Sequence, residues 1–236
     1  MPFEERDSLR LDLHIHTEVS RDALITLDDV CRWVVRRGLD GVAITDHNHI
    51  DGALALAERA PFRVIIGEEI RTTRGEIIGL FLEEWIPPDL SPRETLARIH
   101  DQGAIAYVPH PLDRSRNSAM GEDTLLEVID AVDAIEGLNA RTTYQDDNER
   151  ALAIARDHGI PVGAGSDAHL PFEIGQAYVE MPGFDDGTAF QRALPQATLH
   201  GSLSSPLVHL GSTVAKLRHR LRADAITHAS ARKPHE

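Results

Sequence analysis

The chain has 236 residues, 42% of them hydrophobic and 26% charged, which is enough to bury a core without disulfide or metal staples. Its formal charge of −14 argues against a protein that tracks long nucleic-acid backbones, because phosphate contacts need clustered Lys and Arg. The one cysteine, Cys31, excludes an intramolecular disulfide. No stretch approaches the roughly 20 apolar residues of a membrane span, and "MPFEERDSLR" has no signal-peptide core, so a cytoplasmic location is expected.

In chain order, residues 9–16 read as a strand, in which Leu11, Leu13 and Ile15 alternate with Asp12, His14 and His16. Such alternation describes a strand with one buried and one solvated face. "ITLDDVCRWVVRRG" reads as a helix, with Thr26 and Asp29 resembling a capping box and Gly38 as its stop. Strands follow at 41–47, 62–70 and 75–84. "SPRETLARIHDQG" is a helix with Ser91 as N-cap, Pro92 at the first position, Glu94 at the third and Gly103 as stop. Next come a strand at 104–111, a helix at 121–130, a strand at 131–140, a helix at 145–159 and a strand at 160–169. A strand at 176–181, a helix at 186–194 and a basic helix at 212–222 complete one expected domain over 1–222; residues 223–236 read as a flexible tail. Alternating strands and helices with short connections predict a mostly parallel sheet covered by helices, doubly wound or closed into a barrel. No glycine-rich phosphate loop follows the first strand, which removes the commonest reason for a doubly wound nucleotide fold.

The ionisable residues gather at strand ends. Asp12, His14 and His16 end the first strand, and Asp46, His47 and His49 the second. Glu68 and Glu69 lie in the third and Glu76 in the fourth. His110, then Glu136 and Asn139, then Asp167 and His169 close three later strands. In a parallel barrel these ends meet at one mouth. Burying so many unpaired polar groups is prohibitive. Lys and Arg are nearly absent from these segments, so divalent cations are the expected partners. The donors are nitrogen and oxygen only, which excludes a thiolate zinc site and favours Zn²⁺, Mn²⁺ or Fe²⁺ in hydrolytic chemistry. One ion cannot use them all, so two or three ions are expected.

"DLHIHT", "ITDH", "GEEI", "PHP" and "GSDAH", in this order, resemble the PHP (polymerase and histidinol phosphatase) domain family over about residues 9–181, with looser agreement through "GSLSSPLVHLGS". The resemblance implies an α/β fold, a distorted (β/α)7 barrel of PHP type, with two or three Mn, Fe or Zn ions. His14 and His16 would bind one ion with Asp167, Glu69 would bridge with Glu68 as its neighbour, and His110 would serve a second ion. His47, His169 and Asp22 would serve a third, and Asp12 would orient ligands from behind. Two positions depart from the family pattern: Asp22 and Glu76 stand where histidine is frequent. Both exchange nitrogen for oxygen, which hardens the centre towards Mn²⁺ or Fe²⁺ and leaves open whether Glu76 is a ligand at all.

The implied reaction is hydrolysis of a small-molecule phosphomonoester (a nucleotide, sugar phosphate or histidinol-phosphate-like compound) by a metal-bridging hydroxide attacking phosphorus. His49 and Asp46 are the candidates for proton transfer. Arg114, Arg116 and Arg141, just past ligand-bearing strand ends, are candidates to clamp the phosphate. The expected partner is a phosphorylated small molecule, with no membrane and no long nucleic acid. One rival is a binuclear amidohydrolase acting on C–N or C–O bonds, although no strand end offers the lysine such enzymes commonly use. The other is a non-catalytic metal-binding module of a larger assembly, which near-complete retention of the ligands disfavours.

Overall fold

The computed structural model describes residues 8–204. The expected basic helix at 212–222 and the tail at 223–236 lie outside them, so the single domain over 1–222 is described here only in part. The strands are β1 (Ser8–Ile15), β2 (Gly41–Ile44), β3 (Arg63–Thr72), β4 (Gly75–Leu80), β5 (Ile105–Val108), β6 (Ala134–Asn139), β7 (Val162–Gly165), β8 (Ala177–Pro182) and β9 (Thr198–Gly201). The helices are α1 (Leu27–Arg37), α2 (Asp51–Ala57), α3 (Pro92–Asp101), α4 (Glu122–Val128), α5 (Gln145–His158) and α6 (Gly187–Ala193).

All nine strands form one sheet in the order β7-β6-β5-β4-β3-β2-β1-β8-β9. The chain leaving β7 lies against the end of β1: Ile15 bridges Ala168, Asp167 donates its backbone N–H to His14 O at 2.8 Å, and His16 donates to Ala168 O at 3.0 Å. The sheet therefore curls into a nearly closed, PHP-type distorted barrel. The seven strands implied by resemblance become nine, because β8 and β9 extend the sheet past β1.

The strands do not all run one way. β4 is antiparallel to both β3 and β5, and β8 is antiparallel to β1. Only Thr73 and Arg74 separate β3 from β4, whereas a parallel crossover needs a dozen residues or more, so only a hairpin is possible. The reversal has a consequence for the mouth. It is the beginning of β4, with Glu76, that lies beside the end of β3, where Arg71 pairs with Glu76 in register.

β1 also departs from simple alternation. Residues 11–16 are buried on both faces, not on one. Leu11 and Leu13 pack with Ala43, Ile65, Ile78 and Tyr107, while Ile15 joins Val30, Val34, Ile44 and Ile174. Between Asp12 and Ile15 the register against β2 shifts, an irregularity of the kind that re-aims side chains at barrel rims.

The helices follow their local signals. Thr26 and Asp29 form the capping box of α1, which ends at Gly38 in the left-handed conformation (φ 67°), a position that costs a Cβ-bearing residue more. Ser91 and Glu94 form a second capping box with Pro92 in the first turn of α3. Two elements lie outside the set expected from sequence. α2 begins at Ile50 without a side-chain cap, and β9 is a four-residue strand added by pairing with β8. Among the described residues, no helix is long and apolar enough to cross a membrane.

Glu68, on β3, lies fully buried beneath the segment after β4, and its Oε2 accepts the Ile86 N–H at 3.0 Å. Burial raises its pKa from the ordinary 4.5 to about 8. The folded chain thus keeps a proton that the unfolded chain has lost, and the stability this group contributes is full below 4.5 and declines as pH climbs towards 8. Glu68→Gln should gain stability over the wild type as pH rises, by on the order of 1–3 kcal/mol at pH 9 and much less at pH 4.5. Urea unfolding at the two pH values measures it; a gain independent of pH would contradict the assignment.

Candidate metal centre

Six strands and the loops that leave them bring the donors to one end of the barrel. β1 delivers His14 and His16, the residues after β2 deliver His47, and β3 delivers Glu69. Glu76 comes from the start of β4, His110 from just beyond β5, and Asp167 and His169 from just beyond β7. Asp22 arrives on the β1–α1 connection. Four overlapping triads of these residues have donor atoms within 4.8 Å of one another: His16, His47 and His169; His14, His16 and Glu69; His14, His110 and Asp167; and His47, Glu69 and Glu76.

Glu69 stands between two imidazole pairs. Its Oε1 is 3.0 Å from His110 Nε2 and 3.5 Å from His14 Nε2. Its Oε2 is 2.9 Å from His47 Nδ1 and 3.4 Å from His16 Nε2. Asp167 Oδ1 lies 3.4 Å from His16 Nε2 and 3.7 Å from His14 Nε2. Asp22 reaches His47 Nε2 at 3.5 Å and His169 Nε2 at 3.6 Å. Glu76 is the outermost carboxylate, 3.9 Å from both His47 Nδ1 and His110 Nε2.

The cluster splits the proton affinities of its members. Burial disfavours charge on His14, but Asp167, Glu136 and Glu69 outweigh it and raise its pKa well above the ordinary value. His47 is raised likewise, against its burial, by Glu69 and Asp22. His16 is pushed down to about 3 by burial and by the neighbouring His169 and His47. Glu69 is held low, despite burial, by His14 and His47, whereas burial and Glu69 raise Glu76.

Glu136, which sequence reading placed at its strand end without a role, supports two ligands. Its Oε1 lies 3.1 Å from His14 Nδ1, and its Oε2 accepts the His110 N–H at 2.8 Å. The carboxylate behind the His14 ring is therefore Glu136 and not Asp12. Asp12 holds backbone instead, accepting N–H groups of His14, Ser166 and Gly175. Gly165 is required beside them: a Cβ there would lie 2.3 Å from His14 Cβ and 2.7 Å from Glu136 Oε1. Asn48, His110 and Asp167 all have left-handed backbone, φ 57°, 28° and 53°. Strained conformations of this kind persist only where surrounding contacts hold them, and here they aim His110 and Asp167 inward.

Above the donors opens a cavity of about 810 Å³ lined by His47, His169, Asp22 and Glu76 together with Arg116, Arg141 and His49. Arg21, Arg71 and Asn48, which sequence reading missed, also line it; no local motif marks them. Two expectations need correction. Arg114 does not face the cavity; its guanidinium is bound to Asp147 and Asp146 at the start of α5, a pairing visible only once the loop and helix meet. Asp46 does not reach it either, since it is fully buried and accepts Thr17 N–H, Thr17 Oγ1 and Ser20 Oγ, which secures the β1 and β2 loops.

The donor set suits divalent cations. His14 Nε2 and His16 Nε2 face each other at 3.1 Å, where one proton at most fits between them. Asp167 Oδ1 is buried without a hydrogen bond. A cation would satisfy these groups together. His14 and His47 both hold protons above the usual imidazole range, so cation uptake must displace them. Titration calorimetry with Mn²⁺ at pH 7.5 should show proton release, seen as a dependence on buffer ionisation enthalpy, and weaker binding at lower pH. Gly165→Ala should weaken Mn²⁺ binding about 10–100-fold by displacing His14 and Glu136.

Comparison with known proteins agrees with this geometry. The profile of the PHP domain matches residues 12–156, and that of the PHP-associated region matches 145–195. The uncharacterized protein MJ0417 of Methanocaldococcus jannaschii is 35% identical over 176 residues, 73% of this chain and 70% of that protein. A two-domain Bacteroides vulgatus protein containing a predicted PHP-like metal-dependent phosphoesterase has a similar fold, with TM-score 0.68 at 18% identity; the match covers 83% of this chain and 65% of that one. The lesion-specific endonuclease PfuEndoQ of Pyrococcus furiosus gives TM-score 0.61 at 13% identity, over 81% of this chain and 57% of that one. With its ordered strand-end donors gathered at one barrel mouth and the domain profile spanning most of its length, this chain belongs to the PHP domain family.

Proposed function

We propose that the chain is a metal-dependent phosphoesterase acting on a small phosphomonoester, with His14, His16, Asp22, His47, Glu69, Glu76, His110, Asp167 and His169 holding two or three divalent ions. The observation that carries this reading is the placement of Glu69, each of whose oxygens faces a different imidazole pair, one of whose members, His47, lines a cavity together with Arg21, Arg71, Arg116 and Arg141. Divalent ions in such a site supply activated water and positive charge for phosphoryl oxygens. The carboxylate oxygens of Asp22, Glu69, Glu76 and Asp167 favour Mn²⁺ or Fe²⁺ over Zn²⁺.

The chain's own groups divide the remaining work. Arg141 is buried, lines the cavity, and its Nη1 lies 3.4 Å from the Asp167 carbonyl, so its guanidinium offers phosphate oxygens a fixed donor next to the centre. His49 sits at the mouth with its side chain 55% exposed, and it is the candidate donor of a proton to the leaving oxygen. The cavity wall has Val19 as its one large apolar residue, which suits a highly polar substrate. The amidohydrolase reading is the second one, and a Chromobacterium violaceum amidohydrolase shares the fold at TM-score 0.56 and 19% identity; none of the described residues is the lysine such enzymes commonly use.

The test is phosphate release from a panel of phosphomonoesters by metal-stripped protein re-supplied with Mn²⁺, Fe²⁺ or Zn²⁺. Metal-dependent release is expected, and hydrolysis of amides or lactones but not phosphate esters would overturn the reading. His14→Ala should lose at least roughly 100-fold in turnover while keeping a cooperative melt. Arg141→Ala should raise KM about 10–100-fold, the worth of one charged hydrogen-bonding group.

A further inference from the structure

Arg116 was read from sequence beside Arg141, as a clamp on substrate phosphate. Its contacts describe another task. The loop after β5 folds as two consecutive turns, Asp113 N–H donating to His110 O at 3.2 Å and Arg116 N–H to Asp113 O at 3.1 Å. Asp113 is buried and accepts Ser115 N–H and Oγ on Oδ1, and Arg116 Nε at 2.9 Å on Oδ2. From this anchorage Arg116 extends across the mouth, and its Nη1 meets Asp167 Oδ2 at 2.6 Å. Asn139 Nδ2 adds a second, longer contact to the same oxygen at 3.3 Å. The other oxygen, Oδ1, has no hydrogen bond and faces His14 and His16.

The two oxygens of Asp167 are thus used differently. A carboxylate beside a cation binds through one oxygen or both, and rotation about its last bond exchanges them. Here that rotation is blocked by a guanidinium that is itself fixed at Nε. Two carboxylates from different loops are held at once by one rigid fork, a geometry a lysine ammonium cannot reproduce. The same short loop carries His110, so the position of one ligand is tied to the orientation of another.

We propose that Arg116 is a positioning residue: by holding Asp167 Oδ2 from an anchor on Asp113, it presents the single oxygen Oδ1 to the metal centre. This rests on the reading that the centre holds divalent ions, and it extends that reading to a residue that is not itself a ligand.

Titration of metal-stripped full-length protein with Mn²⁺ alone tests it, using wild type, Arg116→Lys, Arg116→Gln and Asp113→Asn, each checked for a cooperative melt. Both Arg116 variants should bind Mn²⁺ about 10–100-fold more weakly, Lys included, because charge without the fork does not hold the carboxylate. Asp113→Asn, which leaves the guanidinium in place, should shift affinity in the same direction by a smaller factor and decides the matter if an Arg116 variant fails to fold. With p-nitrophenyl phosphate, kcat should fall with KM nearly unchanged. Unchanged Mn²⁺ affinity with a raised KM would overturn the proposal and return Arg116 to the substrate. Wild-type affinity in Arg116→Lys, or tighter binding in Arg116→Gln, would overturn it as well, leaving only a charge effect. Should the wild type bind no Mn²⁺, Fe²⁺ or Zn²⁺, the metal-centre reading itself fails, a result distinct from any difference among the variants.

Discussion

A single buried carboxylate, Glu69, organises the mouth of this barrel. Four imidazoles from three segments of chain converge on its two oxygens, and none of them is more than 3.5 Å away. A fully buried carboxylate carries a desolvation cost that only neighbouring positive charge or strong donors offset. The imidazoles in turn are buried and crowd one another, with His16 ringed by His14, His47 and His169. Neither set is stable alone, and together they leave room for charge that the protein itself does not supply.

The rest of the architecture answers to that constraint. Crowded donors must be held at close range without collapse, and several are fixed from behind. Glu136 holds the His14 ring and the His110 backbone, and Asp12 holds the chain on both sides of β1. Asp46 ties the loops that carry Ser20 and His47, since Ser20 Oγ donates to it and accepts the His47 N–H. Left-handed backbone at His110 and Asp167, and a bare Cα at Gly165, belong to the same set of accommodations. These are local sacrifices of conformational preference made where function needs them and supported by hydrogen bonds around them.

The chemistry then separates into a floor and a wall. Carboxylates and imidazoles make the floor, and arginines with small polar groups make the wall. In a chain of net charge −14, anion recognition cannot come from a broad basic surface. On the proposed reading it is local, from guanidinium groups in the wall and from cations the donors would hold. The arginines are not equivalent in this respect. Arg114 is spent on the start of α5, Arg116 is held between two aspartates, and Arg141 lies buried beside the Asp167 carbonyl.

Much of this was legible from residue order alone. The strand-end histidines, the capping boxes of α1 and α3, and the alternation of strands and helices are local patterns, and local patterns survive in sequence because period and capping chemistry act over a few residues. The donors that gather at the mouth were legible for the same reason: most of them sit at or just beyond the end of a strand. What sequence did not carry is relation. Parallel direction was assumed for β4 although a two-residue connection forbids it, and only that reversal brings Glu76 to the mouth. β1 looked half solvated because its polar residues alternate, yet a register shift and two packed faces bury them all. Arg114 and Arg116 are two residues apart and chemically identical, and which one reaches Asp167 depends on which partner from a distant part of the chain lies beside it, Asp147 for Arg114 and Asp167 for Arg116. The sequence by itself determined which nitrogen and oxygen donors this protein has and near which strand ends they sit. The tertiary structure decided which of them share an oxygen, because that depends on strand direction and loop closure, and neither is a property of any short segment.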